Sequence, residues 1–242
     1  MWVKICANTT LEDARLAARA GADAVGFVFA PSPRRVTVQH VREIALRLPA
    51  SVERIGVFGE ASFDEIAEAV VSADLTGVQL HGAEDASLTT KLRSHFKRSQ
   101  PDLRIIQTLH FHAGPEEYAS GSTRPIPSAP RSRTWVESLQ AAAADPVLDA
   151  LLLDSRTAGA SGGTGVAFDW ASARESLIEI DNRLRVIVAG GLNPLNVDEA
   201  IRVLRPWGVD VATGVEASPG KKDSAKVKAF VVAARAAADA LK

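Results

Sequence analysis

The sequence predicts an α/β protein, a single-domain (β/α)8 barrel of the TIM type that spans residues 1–242. Short apolar runs, typical of strands buried on both faces, alternate strictly with segments of helical periodicity, and this alternation indicates βαβ units in a parallel sheet. The sequence holds eight segments of each kind, and eight parallel strands close as a barrel. A doubly wound open sheet is the alternative, disfavoured because no Gly-x-Gly-x-x-Gly follows the first strand.

The predicted strands are short apolar runs at residues 3–6, 24–29, 54–58, 77–80, 103–109, 150–153, 186–189 and 209–212. Prolines or glycines end some of them, as Pro31 does after the second strand and Gly214 after the eighth. In a barrel, the carboxyl ends of all the strands meet at one face, and the loops that follow them carry the functional residues.

Apolar side chains at helical spacing, together with capping residues, mark the helices between the strands. The first helix begins at a capping box, Thr9-Thr10-Leu11-Glu12, and ends at Gly21, while the third is capped by Ser62. The others are predicted at 41–48, at 84–96, at 136–144, after Asp169, after Asn193 with Pro194 as the first helical residue, and at about 224–241, which Lys221-Lys222-Asp223 opens.

One segment interrupts the alternation, at about residues 110–133, where four prolines are scattered among Gly, Ser and Arg without periodicity. Because the alternation resumes in phase afterwards, we interpret it as an insertion in the loop after the fifth strand rather than as a domain linker. Such long loops are usually functional or disordered. A lid over the site and a tolerated surface insertion both remain open, and we favour the insertion because lengthening a loop costs little stability.

The composition and the net charge limit the classes of function that the sequence supports. Net charge is -1 with both signs interspersed, which gives no support for nucleic-acid binding. A single cysteine excludes an intrachain disulfide and fits a reducing compartment. No signal peptide precedes the first strand and no apolar run reaches membrane-spanning length, so we expect a cytoplasmic protein without membrane contact.

Two glycine-rich turns follow the last two strands and resemble a phosphate cradle. Gly190 and Gly191 follow the seventh strand, and Gly214 follows the eighth. Glycine lets the backbone approach a ligand closely, and in barrels the loops after strands seven and eight commonly bind phosphate through N–H groups. A Walker A loop is a poor match, since five residues separate Gly214 from Gly220 where four are needed. Plain connecting loops without a ligand are the other alternative.

Titratable side chains stand at or near the ends of three predicted strands, Cys6 after the first, His81 after the fourth and Asp154 after the sixth, and the eighth strand carries Asp210. Cys6 shares a strand face with Lys4, by the period of two, and an ammonium nearby is expected to favour the basic thiolate. The alternative for Cys6 is a small buried apolar residue, for Asp154 a helix cap or an ion-pair partner, and for His81 a structural hydrogen bond.

Arginines and the remaining histidines complete the candidates. Arg34 and Arg35, after the second strand, are able to bind a carboxylate through two parallel hydrogen bonds, or else form a solvated loop pair. The other histidines, His40, His95, His110 and His112, form no metal-ligand spacing with His81. The sequence therefore predicts no metal site.

Several motifs, read in order, give the chain its resemblance to a known family. They are KICA at 4–7, GADAVGFVF at 21–29, QLHG at 79–82, LLLDS at 151–155, GGTG at 162–165, FDW at 168–170, AGGLNPLNV at 189–197 and GVDVATGVEASPGKKD at 208–223. Together they resemble the phosphoribosylanthranilate isomerase family. The Pro-rich segment has no counterpart in the short bacterial pattern. Ala7 departs from the family's Lys-Ile-Cys-Gly, Asn8 and Thr9 depart from its usual following residues, and Ala212-Thr213 from its Ser-Ser or Ser-Gly.

The resemblance implies an Amadori rearrangement of a phosphorylated small molecule in tryptophan biosynthesis, without a cofactor. It implies that Asp154 is the acid that opens the ribose ring and that Cys6 is the base that removes the C2 proton. By the same resemblance Arg35, rather than Arg34, holds the anthranilate carboxylate, and His81 and Asp210 bind substrate. Phosphate is bound at Gly191, Thr213 and Gly214, with Gly163 in a covering loop, and contact with other tryptophan-pathway enzymes is possible.

Two other functions compete. A related isomerase of the histidine pathway uses Asp where Cys6 stands and has a second phosphate cradle, for which the third and fourth strands offer no glycine pair. An inactive barrel that serves only as a binding partner in an enzyme complex is disfavoured because Cys6 and Asp154 are both present.

Overall fold

Eight parallel strands form a closed barrel in the computed structural model, which describes residues 1–82, 85–110, 135–154, 174, 177 and 184–242. The strands are β1 (Trp2–Ile5), β2 (Ala24–Val28), β3 (Glu53–Phe58), β4 (Gly77–Leu80), β5 (Arg104–His110), β6 (Ala150–Asp154), β7 (Arg185–Ala189) and β8 (Gly208–Val211). Each strand pairs with its sequence neighbours, and β8 pairs with β1. The predicted (β/α)8 barrel is confirmed.

Helices connect the strands on the outside of the barrel. They are α1 (Leu11–Ala20), α2 (Val38–Ala45), α3 (Phe63–Ser72), α4 (Ala86–Phe96), α5 (Trp135–Ala144), α6 (Val197–Leu204) and α7 (Ser224–Asp239). Capping explains several starts: the Ser62 hydroxyl accepts from the Glu65 N–H while the Glu65 carboxylate accepts from the Ser62 N–H. The predicted helix after Asp169, the bulk of the insertion at 110–133, and Gly163 lie outside the described residues.

One predicted helix start is wrong. The Asn193 side chain accepts a hydrogen bond from the Leu195 N–H at 2.8 Å, which holds the chain in a turn, and α6 begins only at Val197. The last helix begins at Ser224, as predicted, with Asp223 as its cap. Lys221–Lys222 form a short strand, β10, that pairs antiparallel with β9 (Glu216–Ser218) rather than opening this helix. The second helix lies three residues earlier than predicted, from Val38 to Ala45.

The core has two layers. Inside the barrel, buried side chains from six strands pack together: Trp2, Ala24, Ile55, Ile106, Ala150, Leu152, Ile187 and Ala189. A larger apolar layer lies between the strands and the helices. At the amino-terminal end of the barrel, Trp2 stacks on Trp207 at 5.2 Å and the Arg104 guanidinium lies 5.2 Å from the Trp207 ring.

None of the described helices has the length and apolar character that a membrane crossing needs.

Candidate active site

Lys4 lies inside the barrel as a fully buried ammonium, held by the neighbouring strand β8 and by β4 across the barrel. Its register partner in the β1–β8 ladder is Asp210, and the Nζ–Oδ2 distance is 3.0 Å. Nζ also donates to Oε1 of Gln79 on β4 at 2.7 Å. Although burial lowers the pKa of Lys4, the charges of Asp210 and Cys6 raise it above its ordinary value, so the ammonium stays charged at neutral pH.

Cys6 follows β1 directly and lies beside Lys4, as the period of two predicts. A methyl group built on Gly26 would lie 2.6 Å from the Cys6 sulfur and 2.9 Å from Cε of Lys4, so all three positions meet at one point. The expectation of a thiolate is corrected by the structure, however. Burial raises the pKa of the Cys6 thiol, and the opposing effect of the Lys4 charge does not outweigh it. The charge of Asp210 also raises the pKa of the thiol, though less than burial does. Cys6 therefore rests as a thiol at neutral pH.

Ala7, next to Cys6, is strained. Its φ is 60°, in the left-handed region that favours glycine, and its side chain is buried. The left-handed conformation costs an L-residue about 1–2 kcal/mol. The position at which the sequence departs from the pattern Lys-Ile-Cys-Gly is thus one whose backbone suits glycine.

Asp154, at the end of β6, lies among two histidines. His110 is its register partner at the end of β5, and the His110 and His81 rings meet edge to face with centroids 4.8 Å apart. One ligand atom from each of the three side chains lies within 4.8 Å of the others. Asp154 is buried, and its charge acts on Asp210, so the Cys6–Lys4 pair and the Asp154 group belong to one mouth.

Arg34 and Arg35 make different contacts in the structure. The Arg34 guanidinium donates to both carboxylate oxygens of Glu216 in β9, at 2.8 and 2.7 Å, and its charge interacts with that of Cys6. Arg35 is exposed, and its charge acts on Glu65 in α3. The structure therefore brings Arg34, not Arg35, against the loop after β8.

The two glycine-rich turns lie against each other. Gly190 and Gly191 have φ of 80° and 62°, as a left-handed turn after β7 requires. A methyl group on Gly214 would lie 1.9 Å from the backbone oxygen of Leu192, so only glycine allows the loop after β8 to approach the loop after β7. Thr213 begins the short 3-10 helix that contains Gly214.

The β9–β10 hairpin ties the loop after β8 to the loop after β1. Thr9 Oγ1 donates to the Gly220 oxygen at 2.5 Å, and Lys222 Nζ donates to the Ala212 oxygen at 3.1 Å. Glu216 lies between Lys222 and Arg34, with Oε1 at 3.4 Å from Nζ of Lys222. Burial lowers the pKa of Lys222, and the charges of Glu216 and Cys6 counter this only in part.

Comparison with known proteins decides the family. Residues 3–101 and 96–233 match the family model described as N-(5'phosphoribosyl)anthranilate (PRA) isomerase. This chain belongs to the PRA isomerase family. A relative from Desulfitobacterium hafniense named N-(5'-phosphoribosyl)anthranilate isomerase is 39% identical over 241 residues, with 96% of this chain and 97% of the relative covered. One of the same name from Pseudomonas aeruginosa is 39% identical over 234 residues, with 96% and 94% covered.

Solved structures of the family share the fold. The phosphoribosyl anthranilate isomerase of Thermotoga maritima superimposes with a TM-score of 0.76 at 33% identity, covering 98% of this chain and 99% of that chain. A second structure, of a phosphoribosyl anthranilate isomerase in complex with reduced 1-(o-carboxyphenylamino)-1-deoxyribulose 5-phosphate, has a TM-score of 0.74 at 32% identity and the same coverage. The resemblance read from the motifs is confirmed.

Sequence reasoning missed four residues of this chain that lie at the site: Gln79, His110, Glu216 and Lys222. Gln79 stands in the motif Gln-Leu-His-Gly, and its alternation with His81 was the available signal that both share a strand face. Glu216 and Lys222 stand in the last motif, where only the glycines had been assigned a role. His110 ends β5 at the start of the irregular segment, and nothing local links it to Asp154.

Proposed function

We infer that this protein is an N-(5'-phosphoribosyl)anthranilate isomerase, which converts N-(5-phosphoribosyl)anthranilate into 1-(2-carboxyphenylamino)-1-deoxyribulose 5-phosphate in tryptophan biosynthesis. The reaction is an intramolecular oxidation and reduction of a phosphorylated small molecule. One observation carries the inference: in a chain of this family, a cysteine beside a buried ammonium and a carboxylate on another strand share one barrel mouth.

Asp154 and Cys6 have complementary proposed roles. The Asp154 carboxyl protonates the ribose ring oxygen, the bond from that oxygen to C1 breaks, and a Schiff base forms with the anilino nitrogen. The Cys6 thiolate then removes the C2 proton, and the electron pair shifts to make an enamine that tautomerises to the ketone. C1 is reduced and C2 is oxidised, so no external oxidant or reductant enters. The adjacent ammonium of Lys4 stabilises the thiolate when it forms.

Asp210 is proposed to contact the sugar. Its Oδ2 binds Lys4, whereas its buried Oδ1 has no hydrogen-bond partner among the described residues. A buried carboxylate oxygen of this kind gains stability from a donor, and a substrate hydroxyl or the anilino N–H supplies one. His81, at the end of β4, is proposed to contact substrate from the opposite side of the mouth.

The two charged ends of the substrate are proposed to bind at separate places. The phosphate binds backbone N–H groups of Gly191, Thr213 and Gly214, a proposal supported by the contact between their two turns. Gly163 remains a sequence-based proposal for the same site. For the anthranilate carboxylate we propose Arg35, which is exposed in the loop after β2, whereas the Arg34 guanidinium is already paired with both carboxylate oxygens of Glu216.

A direct assay tests the function. Phosphoribosylanthranilate is fluorescent and decays spontaneously, so the protein should accelerate the decay well beyond the blank. Asp154→Asn, which has no carboxyl proton to donate, should lower kcat by roughly 10²–10⁴. All proteins should be purified from a host that lacks its own isomerase, which excludes contamination. Decay no faster than the blank for the parent protein would disprove the function, and near-parental activity in Asp154→Asn would remove Asp154 from the mechanism.

Location and assembly belong to the same proposal. A cytoplasmic protein agrees with the single cysteine, which allows no intrachain disulfide. Contact with other enzymes of the tryptophan pathway stays a prediction, which co-purification of the tagged protein from its own cells would test.

A further inference from the structure

We propose that His81, His110 and Asp154 form a binding site for a divalent transition-metal ion of the Zn²⁺ class, and that the bound ion inhibits the enzyme. The binding half of the proposal rests only on the three side chains. The inhibition half rests on the proposed role of Asp154 as the catalytic acid. His110 lies outside the motifs that carry the resemblance to the family.

Adjacent strands bring the three ligands together. His110 and Asp154 are register partners at the ends of β5 and β6, so their side chains leave the barrel at the same height. His81 follows β4, where its N–H donates to the Phe58 oxygen at 2.7 Å and fixes the backbone. The two imidazole rings then meet edge to face, with 76° between their planes.

The separations suit a metal after a small adjustment. The three ligand atoms lie within 4.8 Å of one another. In a tetrahedral site with bonds of 2.0–2.1 Å, ligand atoms lie about 3.4 Å apart, so a separation of 4.8 Å must close by roughly 1.4 Å. His110 is exposed and can rotate toward the other two, whereas buried Asp154 and partly buried His81 are held in place.

The donor set selects the kind of ion. Two imidazoles and one carboxylate suit Zn²⁺, Co²⁺ or Ni²⁺, whereas Mg²⁺ and Ca²⁺ prefer sites built from oxygen. A cation is also favoured by the surrounding charges, because the Asp154 carboxylate interacts electrostatically with the carboxylate of Asp210. The ion would relieve that repulsion.

Inhibition follows from the chemistry of Asp154. A carboxylate that binds a metal has given up its proton, and the proposed mechanism needs that proton at the ribose ring oxygen. The ion would also occupy the part of the mouth that the sugar must enter. Removal of the ion by a chelator would restore the acid, so the inhibition is reversible.

Metal binding is measured directly on the full chain after treatment with a chelator. Titration with Co²⁺ should give a visible absorption spectrum that saturates at one ion per chain, and Zn²⁺ should displace it. His110→Asn should weaken Co²⁺ affinity by about tenfold or more, since even the loss of an outer-shell partner costs 10–100-fold. His95→Asn is the matched control, because exposed His95 lies on α4 against Phe63 and Phe96, away from the mouth.

Two outcomes would overturn the binding half. One is the absence of saturable binding; the other is equal affinity in His110→Asn and the parent chain. A Cys6→Ser variant covers the rival ligand: if it abolishes Co²⁺ binding while His110→Asn does not, the ion binds at the thiol and the proposed site is wrong. Mg²⁺ at the same concentration should not compete, and competition would contradict the stated donor preference.

Activity tests the inhibition half. Zn²⁺ should lower the isomerase rate of the parent, a chelator should restore it, and His110→Asn should need about tenfold more Zn²⁺ for the same effect. Stoichiometric binding that leaves the rate unchanged would refute inhibition while leaving the site intact. If the parent shows no isomerase activity even without metal, the proposed function fails, yet the Co²⁺ titration still decides whether the site exists.

Discussion

Lys4 decides much of the chemistry at the scale of single residues. Its ammonium is fully buried and is held by Asp210 and Gln79, so it cannot turn away from Cys6. Removing one partner of a buried ion pair costs about 3–5 kcal/mol, because the remaining charge is left uncompensated. Loss of either partner should therefore destabilise the barrel, and the pair also fixes the electrostatic environment of the thiol.

The raised pKa of Cys6 predicts a pH dependence. A base acts only when deprotonated, so kcat/KM should be low at acid pH and should rise with pH until the thiol has ionised. Because burial raises the pKa of Cys6, the rise should continue above the ordinary thiol value of about 8.5. Cys6→Ala should lower kcat by roughly 10²–10⁴ and abolish this limb. A plateau reached well below the ordinary value, or full activity in Cys6→Ala, would contradict the assignment.

Arg34 and Arg35 offer a matched pair of substitutions. Arg35→Ala removes the proposed carboxylate contact, so KM should rise about 10–100-fold, as 1.5–3 kcal/mol implies. Arg34→Ala removes two charge-assisted hydrogen bonds to Glu216 and should change KM by no more than a few-fold. Arg35→Lys should not restore the parental KM, since lysine lacks the planar fork. The reverse ranking would move the role to Arg34.

At the scale of elements, the loops after β7 and β8 are the parts that must fit each other. The turn after β7 is fixed by its own side chains, because Asn196 Oδ1 accepts from the Asn193 N–H at 2.8 Å and its Nδ2 donates to the Gly191 oxygen at 3.1 Å. Gly214 packs against this turn, and the β9–β10 hairpin holds the other end of the loop. The proposed phosphate site is thus built from two loops that stabilise each other.

Alanine substitutions at the two turns should have different effects. Gly214→Ala places a methyl group 1.9 Å from the Leu192 oxygen, so the loops must separate and KM should rise strongly with a clear drop in Tm. Gly191→Ala meets no atom within 4 Å, and its φ of 62° should cost only about 1–2 kcal/mol. Thermal unfolding and KM of both variants check this. A Gly214→Ala protein with parental Tm and KM would show that the loops do not depend on close contact.

The whole molecule is organised by barrel closure. Strand β8 pairs with β1, which brings Lys4 from the start of the chain against Asp210 near its end. Apolar side chains fill the barrel interior, and the Trp2–Trp207 stack covers the amino-terminal end. The functional residues then lie at the other end, where polar side chains replace the apolar filling.

Residues 114–131 provide a test at this scale, although they lie outside the described part of the chain. Replacing them by a short Gly-Ser link leaves β5 and α5 untouched, so the barrel should still unfold cooperatively. If the segment is a tolerated insertion, kcat and KM should stay within a few-fold of the parent. A fall in kcat with normal folding would favour a lid, and loss of cooperative unfolding would show that the segment belongs to the barrel.

The sequence predicts contacts between residues that are close along the chain better than contacts between residues that are far apart. The pairing of Lys4 with Cys6 on one face follows from the period of two, and the positions of Asp154 at the end of its strand and of Asp210 within its strand follow from the strand pattern. The contact between Arg34 and Glu216 joins residues that are 182 positions apart along the chain, so no local pattern shows it. The assignment of Arg35 to the anthranilate carboxylate stays a prediction.

By itself, the sequence determined the alternation of strands and helices, the barrel, the family, and which strands end in titratable residues. These depend on periodicity and on motifs within short stretches. Only the tertiary structure decided that burial raises the pKa of the Cys6 thiol beside the Lys4–Asp210 pair, that Arg34 is fixed by Glu216, and that His110 lies beside Asp154. Cross-strand register, loop packing and burial determine these contacts, and a local sequence pattern predicts none of the three.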